Sequence, residues 1–321
     1  MKTVLETPQI VAEARGEKRG WNWFVEILVF IAVFFASMIL SVIVMMPGEL
    51  MLLMGDARYQ AAIASGDVNQ AMEASTRIAE SNAYMILSLF SDIVLILVVW
   101  LFCWLIQKRK IGTLGFTKKG LAKEYLIGVA GGFAVFSIAV LLSVVTGSLR
   151  FEGVSDTFSL GIFVLFLLGY MIQGMAEEVL CRGYFMISFA RRYPMVAAVL
   201  VNALIFAALH LGNPGITPLA FLNLTLFGIF ASCYFIRRGN IWGIGAFHSI
   251  WNLVQGNFYG IKVSGLTSNC TLFSAVPVEG RELINGGNFG MEGGLAVTLV
   301  LVIGIALLCF VKGKKTSDVE A

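Results

Sequence analysis

Residues 158–189 read FSLGIFVLFLLGYMIQGMAEEVLCRGYFMISF, and this run decides the class of the fold. From Phe158 to Ala176 it carries no charge. A helix of about 20 apolar residues crosses about 30 Å of hydrocarbon, so the stretch reads as a membrane span. Its second half nevertheless holds Glu177, Glu178 and Arg182. An ionisable side chain at that depth costs about 2.5–3.5 kcal/mol on insertion scales, and such residues in spans usually mark function. On a helix Glu178 and Arg182 stand one turn apart and can pair. Glu177 points about 100° away from Glu178 and lacks a partner nearby in sequence, which leaves it free to act on something else.

Working outward, the composition agrees. Of 321 residues, 58% are hydrophobic and 13% charged, against about 45–50% and about 25% in soluble domains. The expected architecture is all-α: a polytopic bundle of eight membrane helices at Trp21–Met46, Ala83–Ile106, Glu124–Thr146, Phe158–Phe189, Met195–Leu211, Ile216–Ile236, Ile241–Phe258 and Gly293–Val311. The six prolines fall outside these runs or at their ends, as continuous helices in lipid require. The polar start of the chain and the length of the first run argue for a retained span rather than a cleaved signal.

Basic residues set the orientation. Lys108, Arg109, Lys110, Lys118, Lys119 and Lys123 occupy loop two; Arg191 and Arg192, then Arg237 and Arg238, occupy loops four and six; Lys312, Lys314 and Lys315 close the chain. With an even number of spans all of them share the cytoplasmic side with both termini. Loop one, Pro47–Asn82, is acidic and alanine-rich and is expected to hold a short surface helix, whereas loop seven, Tyr259–Glu292, reads as irregular. The small net charge of +3 gives no reason to expect a nucleic-acid partner. The five cysteines have no paired spacing, and four lie in apolar runs as small buried hydrophobes.

Two further clusters join the acidic pair. The chain's two histidines both fall in apolar runs: His210 closes Phe206-Ala207-Ala208-Leu209-His210, and His248 opens His248-Ser249-Ile250-Trp251-Asn252, where His248 and Asn252 share a helix face. A carboxylate, two imidazoles and a carboxamide suit amide hydrolysis, the carboxylate taking a proton from water and the imidazole or amide donors stabilising the oxyanion. The alternative use of the same groups is a zinc ion held by His210 and His248 with Glu177. Asp92 and Glu26 read as structural or interfacial acids; Gln173, one turn before Glu177, and Asn202, two turns before His210, read as helix–helix hydrogen-bonding residues, with support of Glu177 and His210 as the alternative. The absence of Gly-x-Ser-x-Gly and of His-Glu-x-x-His excludes the corresponding serine hydrolases and zincins.

The ordered trio Glu177–Arg182, Phe206–His210 and His248–Asn252 resembles the motifs of the CAAX protease and bacteriocin-processing family of membrane proteins, which includes the type II CAAX prenyl endopeptidases, and the likeness spans 124–258. The resemblance implies an intramembrane endopeptidase in which Glu177 activates water, His210 assists it or binds a metal, His248 and Asn252 stabilise the oxyanion, and Glu178 and Arg182 hold the site, with Phe206 in support. Two histidines are few ligands for tight zinc binding, so no permanently bound zinc is expected. The implied substrate is a membrane-associated peptide or protein, prenylated or bacteriocin-like, and the implied location is a bacterial plasma membrane. The chain then divides into a cytoplasmic segment 1–20, two helices and an external loop 21–123, the catalytic core 124–258, an external loop 259–292, and a last helix with a basic tail 293–321. Two other classes use intramembrane Glu and His: a non-catalytic scaffold or immunity protein, and a proton-coupled transporter, against which the lack of internal repeats weighs.

Overall fold

The computed structural model describes residues 9–17 and 20–310; the tail lysines Lys312, Lys314 and Lys315 lie outside them. A short helix, α1 (Gln9–Glu17), precedes the long apolar α2 (Trp23–Gly55). The expected first span stops at Met46, yet α2 continues through Pro47. A single proline removes one backbone donor, and the exposed helix end around Leu50 and Met51 tolerates that loss. Loop one holds two helices rather than one, α3 (Ala57–Ser65) and α4 (Val68–Ala79). Asp56 and Asp67 cap them by accepting the N–H of Tyr59 and Gln70. The second span is broken at Asp92 into α5 (Asn82–Ser91) and α6 (Ile93–Leu105).

The third span is α7 (Leu121–Val145), followed by strand β1 (Leu149–Val154). The fourth begins as α8 (Leu160–Glu178), opens into a π-helical stretch over Val179–Met186 and closes as α9 (Ile187–Ala190). Then come α10 (Met195–Ala208), α11 (Pro218–Arg238) and α12 (Trp242–Leu253), the last running into a second π turn, Val254–Phe258. Loop seven is more ordered than its composition suggests: it contributes β2 (Phe273–Pro277) and α13 (Glu282–Asn285) before the final helix α14 (Leu295–Phe310). β1 and β2 pair antiparallel from Leu149↔Pro277 to Val154↔Phe273, so the described residues are mostly helical with one small two-stranded sheet.

Among the described residues, five helical stretches are long and apolar enough to cross a membrane: Trp23–Gly55, Asn82–Leu105, Leu121–Val145, Leu160–Ala190 and Pro218–Arg238. α10 and α14 are apolar but shorter. α12 is shorter still and sits in the middle of the bundle, where every residue from Gly243 to Leu253 is buried. It packs chiefly on α7 and α8. Glycines make that approach close enough: a Cβ on Gly128 would stand 2.0 Å from the Gly243 carbonyl, one on Gly132 2.5 Å from the Phe247 carbonyl, and one on Gly174 2.6 Å from the Ser249 nitrogen. Gly128 and Gly132 thus form the small-xxx-small seam that lets membrane helices pack backbone to backbone.

The connecting segments sort into two groups. Arg15 donates to the Ala190 carbonyl at 2.8 Å, Arg238 pairs with Glu124, and the Trp242 indole donates to the Thr117 carbonyl at 2.7 Å. At the other end, loops one, five and seven meet: Asn269 donates to the Glu80 carbonyl and Asn213 to the Ser264 carbonyl.

Candidate active site

The acidic motif sits where α8 gives way to the π-helical stretch, all eight residues of which are buried. π turns are uncommon and concentrate at functional sites. A wider turn disturbs the regular carbonyl pairing, and the buried Arg109 guanidinium answers it by donating to the carbonyls of Gly183 at 2.9 Å and Tyr184 at 3.4 Å. The expected pair forms: Arg182 donates to Glu178 Oε1 at 3.0 Å, with both side chains fully buried. Arg182 also donates to the Gly228 carbonyl and lies 4.5 Å from the centre of the Phe206 ring. That contact is a cation–π arrangement in a dry setting. Phe206 in turn packs on His210 at 4.9 Å and on His248 at 6.1 Å between ring centres, so it joins all three motifs.

Glu178 serves two partners. Its Oε1 also accepts from His248 Nδ1 at 2.9 Å. That bond fixes the proton on Nδ1 and turns Nε2 towards Glu177, whose Oε2 lies 3.8 Å away. The gap is too long for a direct hydrogen bond. Glu177 Oε2 is buried and has no hydrogen-bond partner. The other Glu177 oxygen accepts from Gln173 Nε2, and Gln173 Oε1 accepts from Asn252 Nδ2 at 2.9 Å. Gln173 is therefore the link between the acidic and the His-x-x-x-Asn motifs, beyond the plain helix–helix bond that its spacing suggests. Asn252 keeps a second amide hydrogen free.

His210 differs from expectation in its setting. α10 ends at Ala208, so His210 sits in the turn beyond it rather than in a span. Its Nδ1 lies 2.8 Å from the Phe206 carbonyl. A carbonyl only accepts, so Nδ1 carries the proton and Nε2 is left as an acceptor. Glu177, His210, His248 and Asn252 all line one cavity of about 220 Å³. A second cavity of about 380 Å³ shares Asp92, Glu177, Phe206 and His210 with the first and extends along Phe34, Met38, Val42 and Met45 of α2.

Among the described residues no three His, Cys, Asp or Glu side chains are arranged to hold a metal ion. Asn202 bonds Ser232 across α10 and α11, and Glu26 accepts the Trp21 N–H, structural roles in both cases. Asp92 is different: it lines both cavities beside Glu177, although its sequence setting suggests only a structural acid. Tyr170, Trp251 and Glu292 also line the first cavity. Nothing local in the sequence marks them out, because only the fold brings them there.

A half-buried carboxylate and two oriented imidazoles thus line one cavity within a bundle of apolar helices. Residues 158–254 match the family model described as type II CAAX prenyl endopeptidase Rce1-like. The match covers roughly a third of the chain and contains all three motifs, while residues 124–157 and 255–258 of the resembling region fall outside it. That family is one of proteases, so the match supports protease activity in an integral membrane protein. No curated protein and no solved structure matches the chain.

Proposed function

We propose that the protein is an intramembrane endopeptidase that hydrolyses a peptide bond of a membrane-associated substrate. The observation that carries this reading is the pairing of Glu177 Oε2, buried and without a partner, with His248 Nε2 across 3.8 Å at the wall of one cavity. A water placed between Glu177 and His210 Nε2 gives its proton to the carboxylate and attacks the substrate carbonyl. The oxyanion that forms is met by the free amide hydrogen of Asn252 and by His248. For His248 to donate from Nε2 it must be an imidazolium, and Glu178 on its other nitrogen balances that charge. Collapse of the tetrahedral intermediate breaks the C–N bond, and the proton held by Glu177 passes to the leaving amine. Arg182 keeps Glu178 in place, and Gln173 sets the distance between Glu177 and Asn252.

The same reading holds eight spans, with α12 and its π turn as the seventh and both termini in the cytoplasm of a bacterium. The grouping of loops two, four and six with the start of the chain at one end, and of loops one, five and seven at the other, supports it. The test is comparative proteomics of cells carrying wild type or Glu177→Gln. An uncleaved membrane protein or peptide should accumulate in the variant. If Glu177→Gln and His248→Ala, both present at normal levels, keep full biological activity, the scaffold or immunity reading takes its place.

A further inference from the structure

Every charged side chain on the wall of the 220 Å³ cavity, the histidines apart, is acidic: Asp92, Glu177 and Glu292. The nearest cation among the motifs, Arg182, is fully buried against Glu178 and does not reach the wall. Glu292 is fixed by the Ser264 N–H at 2.7 Å and the Ser264 hydroxyl at 2.8 Å. The Asp92 carboxylate, at the break between α5 and α6, has neither a hydrogen bond nor an ion pair from any described residue, although the residue lines both cavities. Two more polar groups are left waiting on the same wall. The Tyr170 hydroxyl and the Trp251 indole nitrogen belong to side chains that are 2% and 1% exposed, and neither has a hydrogen-bond partner. Both can donate to carbonyl oxygens, so the wall has unused donors for a peptide backbone and unused negative charge for a cation.

We propose that this chamber selects a peptide carrying a lysine, an arginine or a free amine next to the bond that is cleaved, with Asp92 as the specificity-determining residue. The inference rests on the endopeptidase reading and names the substrate class of that site. A metal ion is the wrong occupant, since the acids do not converge as ligands. An ammonium or guanidinium spreads its charge over several hydrogen bonds and suits separated carboxylates. The same wall disfavours a negative charge close to the cleaved bond, such as the chain-terminal carboxylate that a C-terminal C-a-a-X substrate brings within three residues. The apolar cavity along α2 meets the acidic one at Asp92, which fits a substrate whose hydrophobic part lies towards the lipid and whose charged residue points into the chamber.

The experiment measures binding of three short apolar peptides, acetylated and amidated, that differ at one central position: lysine, norleucine or glutamate. The full-length Glu177→Gln protein is held in nanodiscs of zwitterionic lipid, so that membrane charge does not sort the peptides. The lysine peptide should bind at least tenfold more tightly than the norleucine peptide, and the glutamate peptide more weakly than both. Adding Asp92→Asn should bring the lysine and norleucine peptides to within about twofold, and Glu292→Gln should narrow the gap by a smaller factor. Equal binding of the three peptides, no binding of any, or a lysine preference that survives both substitutions overturns the proposal. Hydrolysis by the wild-type protein is scored separately by mass spectrometry. Cleavage without charge preference sinks this inference and leaves the protease reading intact, whereas charge-selective binding with no cleavage does the reverse.

Discussion

Replacing Gly128 by alanine tests whether the seam between α7 and α12 sets the geometry of the site. The added Cβ would lie 2.0 Å from the Gly243 carbonyl oxygen and 2.9 Å from the Ala246 Cβ. Real contacts of this kind stay beyond 3.0 Å, so the two backbones must separate by at least 1 Å. Neither obstacle is a flexible side-chain tip that can swing aside. Overpacking of this kind costs about 1–3 kcal/mol. The same displacement would carry His248, which lies on α12, away from Glu177 and Glu178, and a misplacement of about 1 Å can cost a reaction about a hundredfold. Gly131 is the control on the same helix. A Cβ there meets only the Phe247 ring, at 3.3 Å, and alanine improves helix propensity by up to about 1 kcal/mol over glycine. Thermal unfolding of the purified variants in detergent, together with accumulation of uncleaved substrate in cells, reads both effects. Gly128→Ala should lose stability and activity, and Gly131→Ala should keep both. If Gly128→Ala matches Gly131→Ala in both measurements, close packing of α12 does not position the site and the reasoning fails.

Other outcomes follow from the same coordinates. Arg182→Met strips Glu178 of its buried partner and should cost about 3–5 kcal/mol in unfolding experiments, with part of the loss recovered when Glu178→Gln is added; a change below about 1 kcal/mol would mean that the pair is not buried as described. Gln173→Leu removes the link between Glu177 and Asn252, so it should depress turnover well beyond any effect on stability, and unchanged turnover would dismiss the link. Arg109→Met leaves the Gly183 and Tyr184 carbonyls without their donor and should lower both thermal stability and activity; normal behaviour in both assays would show that the π-helical stretch holds its shape unaided. Outside the membrane, the N–H of Tyr59 and then the Arg77 guanidinium hold the Asp56 carboxyl below its ordinary titration range. Such a group stabilises the folded state above its unfolded pKa, and that contribution fades as pH falls through the lower folded value, below about 4. Hydrogen-exchange protection in α3 and α4, taken relative to the intrinsic exchange rate at each pH, should therefore fall in acid, and Asp56→Asn should show the lower protection already at neutral pH; wild-type protection that does not fall in acid would refute the cap.

Much of the site was legible before any coordinates. Charges and histidines are so costly in lipid-facing helices that Glu177, Glu178, Arg182, His210 and His248 stood out by position alone, and i,i+4 spacing paired Glu178 with Arg182. The same spacing offers Gln173 to Glu177 one turn on, a bond that needs nothing beyond the helix itself and that the structure contains. Asp92 reads from the sequence as structural or interfacial, and only the fold places it on the wall of both cavities, since one acid in an apolar run does not say which neighbour it faces. The π turns, the early end of α10 before His210 and the passage of α2 through Pro47 were beyond reach, because each depends on packing partners that repair the backbone locally.

The sequence by itself determined that the chain is a helical membrane protein and which intramembrane side chains are candidates for its chemistry, because hydrocarbon penalises every polar group that has no purpose there. Tertiary structure alone decided that Glu178 serves both Arg182 and His248, that Gln173 joins two motifs, and that Asp92 and Glu292 share a chamber with Glu177. Those facts rest on contacts between residues far apart in the chain, set by how closely the glycines of α7 and α8 let α12 approach, and no local spacing records that distance.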